Sequence, residues 1–298
     1  MSMSMYTQID SNKRRTWGLF FVFFALFIVV GWAFSYFFQS SEILVFAVIF
    51  AVVQSWVSYF YSDKISLMAT GAKPASRAEY LELHRIVENL AITAGLPKPR
   101  IYVINDPSPN AFATGRNPKH ASIAVTTGLM ERLEKNELEG VIAHELAHIG
   151  NYDILVMTVS VTLVGAIVLA SDILLRSRFW SSSDSDNRGN SQAMLIAIIL
   201  AILAPIFAKL IQLAVSRKRE YLADASGALL TRYPEGLATA LEKIENHERP
   251  MKSANRATAH LFINEPFGVD DRKQSWLQTV FSTHPPIPER VKKLRKMA

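Results

Sequence analysis

The sequence predicts an α+β fold that is mostly α: four transmembrane helices in two hairpins, carrying a cytoplasmic domain organised around one helix. Three observations predict it. Half of the residues are hydrophobic, yet charged residues still make up 19%, so apolar content must lie in blocks separated by ordinary polar sequence. Four such blocks stand at 17–38, 43–61, 154–175 and 193–215, each roughly 20 residues and long enough to cross a hydrocarbon core of about 30 Å. The polar stretches between them carry helix and strand signals of their own, with two histidines four residues apart in the run 136–150.

Taken in order, 1–16 reads as a cytoplasmic tail with Lys13, Arg14 and Arg15 ahead of the first block. That block is too long for a signal peptide and runs almost directly into the next, so 17–61 is a membrane hairpin and an anchor. Lys and Arg are plentiful before the first block, between the second and third, and after the fourth, while 39–42 has none. Both termini and the polar bulk therefore face the cytoplasm. The loop 176–192 is a weak vote, with three arginines against two aspartates. In 62–153, Ser76 with Glu79 caps a helix that ends at Gly95. Short strands follow at 100–105, 110–114 and 122–126, broken by the prolines of 106–109. The run 136–150 is helical, with Asn136 and Glu139 spaced as a capping box. The second hairpin is 154–215, where Lys209 and Gln212 snorkel to the interface and Ser181–Ser191 is a solvated tip. In 216–298, helices are expected at 217–230, 234–247 and 288–297.

Composition removes several functions. There is no cysteine, hence no disulfide, thiolate ligand or cysteine nucleophile. The net charge of +6 comes from residues gathered at membrane edges rather than in a stripe with aromatics, which favours anionic lipid over nucleic acid.

His144-Glu145-Leu146-Ala147-His148 carries the chemistry. On a helix, positions i and i+4 share a face, so both imidazoles reach one metal ion while the glutamate stands beside its water: a zincin-like metallopeptidase helix. Such a site needs a third protein ligand. The metzincin arrangement requires Gly and His three and six residues after the second histidine, where this chain has Asn151 and Ile154. A glutamate on a second helix is the remaining common solution, and Glu220 offers it, with Asp224 four residues on to accept a hydrogen bond from a ligand histidine. His148 lies six residues before the third block and Glu220 five after the fourth. An antiparallel hairpin sets both roughly 8 to 9 Å along their helices from the membrane boundary. Nitrogen and oxygen ligands of this kind prefer zinc without excluding manganese or cobalt. An intramembrane site is disfavoured, because Glu131, Glu134, Lys135, Glu137 and Glu139 make the motif's surroundings too polar for mid-bilayer.

These motifs, with Asn110-Ala111-Phe112-Ala113-Thr114-Gly115 upstream, Ser216-Arg217-x-x-Glu220-x-x-Ala223-Asp224 after the last block and Ala254-Asn255-Arg256-Ala257-Thr258-Ala259-His260-Leu261-Phe262 downstream, resemble the HtpX-type membrane zinc metalloproteases and, more distantly, the zinc-dependent CAAX prenyl proteases. The resemblance covers essentially the whole chain. It implies one Zn2+ held by His144, His148 and Glu220, Glu145 as catalytic glutamate, and stress-responsive quality control of misfolded membrane proteins at a bacterial plasma membrane. His284 resembles the family's downstream histidine, for which an oxyanion role competes with a structural one beside prolines. Asn110, Ala111, Phe112, Ala113 and Thr114 resemble the segment lining the substrate cleft, although a plain internal strand is an equal reading. The partners implied are polypeptide substrates and the lipid bilayer, not nucleic acid, with a homo-oligomer or other quality-control proteases open. A non-catalytic zinc-binding scaffold or sensor is the alternative function, against which the presence of Glu145 speaks.

Overall fold

The computed structural model describes residues 5–180, 199, 217–247, 250–251, 258, 261–264 and 285–297. All but residue 199 of the fourth apolar block, the Ser181–Ser191 tip, Lys209, Gln212, His260, His284 and most of the 254–262 motif lie outside them.

Two long apolar helices open the chain, α1 (Met5–Phe38) and α2 (Ser41–Ala69), joined at Gln39, whose φ of 53° makes the reversal. Both are long and apolar enough to cross a membrane. Their helical conformation overruns the apolar blocks: α1 starts twelve residues ahead of Trp17, and α2 continues past Tyr61 to Ala69. Trp17, Phe21, Trp32, Phe37, Phe46 and Trp56 are exposed on this pair, an apolar surface of the kind lipid covers.

A sheet follows, with strands β1 (Lys73–Pro74), β2 (Arg100–Ile104), β3 (Ala111–Gly115) and β4 (Ala121–Thr126) in the order β1-β2-β4-β3. The central pair β2–β4 is parallel and both outer pairings are antiparallel, with Ala111 opposite Val125 and Gly115 opposite Ala121. Between β1 and β2 runs α3 (Leu81–Thr93), starting later than the Ser76 signal but stopped by Gly95 at φ 66°. Its Leu83, Ile86, Val87 and Leu90 form one buried stripe.

After the short α4 (Thr127–Arg132) comes α5 (Lys135–Gly150), which carries both histidines. Its capping box is Glu134 with Glu137, two residues earlier than the Asn136–Glu139 pair. Glu137 takes the N3 role because its carboxylate reaches back to the Glu134 backbone N–H at 2.8 Å and also holds Lys243 at 2.7 Å. Helix α5 is buried on nearly every face, which makes it the central helix of the domain rather than a surface helix.

Helix α6 (Asp153–Trp180) leaves α5 at 82°. The corner is Asn151-Tyr152, with Tyr152 at φ 60°, a left-handed conformation that costs a non-glycine residue roughly 1–2 kcal/mol. The domain closes with α7 (Arg217–Thr231), α8 (Pro234–Glu245) and α9 (Ile287–Leu294).

The sheet is buried on both sides. Ile101, Val103, Ile123 and Val125 pack with α3, α5 and α8, while Ile104, Phe112 and Ala124 meet Leu67 of α2, Met157 and Val161 of α6, and Phe262. Helices α1, α2 and α6 pack together through Phe23, Phe27, Ala51, Leu155, Val159 and Leu163.

Candidate metal centre

Helix α5 brings His144 and His148 into register one turn apart, and α7 lays Glu220 across them. Close approach is possible because Gly227 sits two turns beyond Glu220 on α7: a Cβ there would fall 2.9 Å from the His144 backbone nitrogen. Gly140 does the same toward α8, where a Cβ would come within 2.7 Å of the Leu237 nitrogen. Backbone packs on backbone at both points.

His144, His148 and Glu220 are 1%, 4% and 1% exposed, so their polar atoms must be satisfied inside the protein. The two Nε2 atoms face each other at 3.1 Å, and Glu220 oxygens lie 3.5 Å from His148 Nε2 and 3.8 Å from His144 Nε2. One ligand atom from each residue lies within 4.8 Å of the others.

On the far side of each ring is an aspartate. His144 Nδ1 lies 3.0 Å from Asp224 Oδ1, and His148 Nδ1 is 3.0 Å from Asp153 Oδ2. A proton on His148 Nδ1, hydrogen-bonded to Asp153, turns its Nε2 lone pair toward His144 Nε2, which also lies 3.5 Å from Arg290 Nη2; a cation between the rings would be held by both. A tetrahedral ion with bonds of about 2.0–2.1 Å spaces its ligand atoms roughly 3.3–3.4 Å apart, and the three observed separations bracket that spacing. Charge agrees. The buried carboxylates Glu145, Asp153, Glu220 and Asp224 face the buried arginines Arg219 and Arg290, an excess of two negative charges that a divalent cation balances. The residues present fit such an ion.

Burial alone would lower the His148 pKa, but the hydrogen bond with Asp153 and the charges of Glu220, Asp153 and Glu145 lift it from 6.5 to about 9. Burial likewise opposes ionisation of Asp224, yet Arg290 and His144 hold its carboxyl below the ordinary value. Arg290, wholly buried, grips Asp224 through Nε and Nη2 at 2.9 and 2.7 Å and lies 3.7 Å from Glu220. Its Nη1 donates to the Ile263 carbonyl at 3.4 Å.

The structure thus brings together His144, His148, Glu220 and Asp224, with Glu145 buried among them, its charge felt by His148 and Arg290. The route differs from the expected one. His148 is not on a continuation of the α6 helix; it meets Glu220 because α7 packs on α5. Residues 110–114 are all buried, and β3 is the outer strand of the sheet. Its Ala111 carbonyl accepts from the Ile263 N–H at 3.0 Å, and Asn110 bonds Asn264 in both directions at 3.0 and 3.3 Å. Sequence reading missed Asp153, Asn12 and Arg219 and gave Arg290 no role. The signal for Asp153 was a lone carboxylate heading an apolar block, a position that demands a partner.

A family model described as peptidase family M48 matches residues 77–298. The chain belongs to peptidase family M48. Among its relatives, two named Protease HtpX homolog match over nearly their full length: one from Caldanaerobacter subterraneus subsp. tengcongensis is 47% identical over 99% of this chain and 98% of its own length, and one from Tropheryma whipplei strain Twist is 45% identical over 98% of each. The fold is similar to the crystal structure of S. mikatae Ste24p, with a TM-score of 0.51 and 22% identity, covering 91% of this chain and 62% of that one. As an M48 member with HtpX-named relatives and two long apolar helices, the chain is a membrane metalloprotease.

Proposed function

We propose that this M48 member is a zinc-dependent endopeptidase that hydrolyses peptide bonds of misfolded membrane proteins at the cytoplasmic face, with His144, His148 and Glu220 as metal ligands and Glu145 as general base. The observation that carries the reading is the pair of Nε2 atoms turned toward one point, beside a buried carboxylate and backed by two aspartates. Bound there, zinc supplies a Lewis acid that acidifies water and polarises a carbonyl. Glu145 takes the proton from the attacking water and returns it to the leaving amine. Asp224 and Asp153 hold the two rings in the tautomer that points Nε2 inward, and Arg290 keeps Asp224 ionised and in place.

An extended substrate pairs with the outer edge of β3 through main-chain hydrogen bonds once that edge, buried along 110–114, is uncovered. Specificity is then broad. The segment 261–264 already bonds that edge at Ala111 and yields it as the substrate enters. His284 is the candidate second donor for the oxyanion. Four spans with both termini cytoplasmic complete the picture, from the charge of the flanks.

The test is cleavage of casein by the detergent-purified chain, stripped of metal and resupplied with zinc, against Glu145→Gln. Cleavage restored in the parent and reduced by about 10²- to 10⁴-fold in the variant, at equal zinc content, is expected for a lost general base. Equal cleavage by both refutes the role of Glu145.

A further inference from the structure

We propose that Asn12, on α1 ahead of the first span, is a positioning residue of the metal centre, acting through Asp153 on His148; the proposal rests on the metalloprotease reading above. Asn12 is 1% exposed. Its Nδ2 donates to Asp153 Oδ1 at 2.7 Å and to the Asn151 carbonyl at 2.8 Å, so both amide protons are used on the α5–α6 corner. Asp153 is divided between two tasks: Oδ2 receives the His148 ring, while Oδ1 receives Asn12 and, at 3.4 Å, Arg219 Nε. A carboxylate held at one oxygen cannot swing at the other, and the orientation of His148 is thereby tied to α1.

The neighbours of Asn12 grip the same corner. Lys13 Nζ lies over the Tyr152 ring, 4.9 Å from its centroid, which suits a residue held at positive φ. Thr16, also buried, donates from Oγ1 to the Asn12 carbonyl at 3.0 Å. An apolar side chain of similar length would fill the space but would take this donor from the buried Asn151 carbonyl and Asp153 Oδ1. The helix that enters the membrane is therefore also part of the outer layer of the metal site.

Partners of ligand histidines are worth 10- to 100-fold in metal affinity. Asn12 stands one bond further out, and its loss should cost about 3- to 10-fold. The experiment uses the full chain in detergent, with Co2+ and Zn2+ affinities read by competition with a chelating dye and the Co2+ absorption spectrum as a report of ligand geometry. Asn12→Leu, Asn12→Ser, Asp153→Asn and the Asn12→Leu/Asp153→Asn pair are compared with the parent. Asn12→Leu should weaken binding and shift the cobalt bands, Asn12→Ser should recover part of both, and the pair should bind no more weakly than Asp153→Asn alone. Affinity of Asn12→Leu and Asn12→Ser within twofold of the parent overturns the proposal, as does a double variant that loses the extra factor in full. A parent that binds neither metal overturns the metal-centre reading itself, and this proposal with it.

Discussion

Replacing Gly227 with alanine tests how α7 sets the third ligand. The added Cβ would lie 2.9 Å from the His144 nitrogen and 3.2 Å from both the Ala143 carbonyl carbon and the His144 Cα. Restoring ordinary contact requires α7 to retreat by roughly 0.5–0.8 Å, against a backbone that cannot rotate out of the way. Metal–ligand distances tolerate about 0.2 Å, so a shift of this size carries Glu220 out of reach unless the strain is retained. Overpacking of this kind costs about 1–3 kcal/mol, and at 1.4 kcal/mol per tenfold the metal affinity should fall roughly 5- to 140-fold. The assay is zinc competition against a chelating dye on the detergent-purified chain, with circular dichroism to show that the helices are intact. Gly18→Ala is the control, since nothing lies within 4 Å of its added Cβ. Zinc affinity of a folded Gly227→Ala protein within twofold of the parent would refute the claim that backbone contact sets the site.

Three further outcomes are expected. Arg290→Met leaves Asp224 buried with its charge uncompensated and should destabilise the fold by about 3–5 kcal/mol; Arg290→Lys, unable to bind both carboxylate oxygens, should restore only part, and denaturation of the three proteins side by side decides. In the metal-free protein His148 binds its proton more tightly folded than unfolded, so its stabilising contribution is complete below about pH 6.5 and disappears as pH rises through about 9; thermal melts of the chelated protein across pH 6 to 9 should fall along that window, and a flat profile contradicts the assignment. Zinc uptake near pH 7.5 should release about one proton from the site, which a pH-indicator dye in weak buffer measures directly.

Much of the site was legible because its residues keep helical spacing. His144 and His148, and Glu220 and Asp224, are pairs four apart, and helix geometry alone puts each pair on one face. Asp153 and Asn12 could not be found that way. They meet His148 around a corner created by a left-handed Tyr152, and nothing in the hydrophobic pattern announces an 82° turn between α5 and an apolar helix. The same corner defeats the height argument for His148, which assumed that motif and span share one axis. Three of the four strands were read to within a residue of their bounds, because alternation and the proline break at 106–109 mark them, while β1, two exposed residues at Lys73–Pro74, shows no alternation and was missed. The start of α3 and the α5 cap were displaced by several residues and two residues, since several polar residues near each start could serve and tertiary partners such as Lys243 choose among them.

Arg290 imposes an order of assembly on the chain. His144, Glu145 and His148 are made before the third apolar block, Glu220 follows His148 by 72 residues, and the guanidinium that holds Asp224 against His144 arrives only with α9. On the proposed ligand set, a nascent or truncated chain that ends before residue 220 has two histidines and no third ligand; one that ends before residue 290 has all three with Asp224 lacking its Arg290 partner. On that same set, the complete site therefore comes last in synthesis, after every apolar block has been made. On that reading an unfinished chain carries no working site of its own.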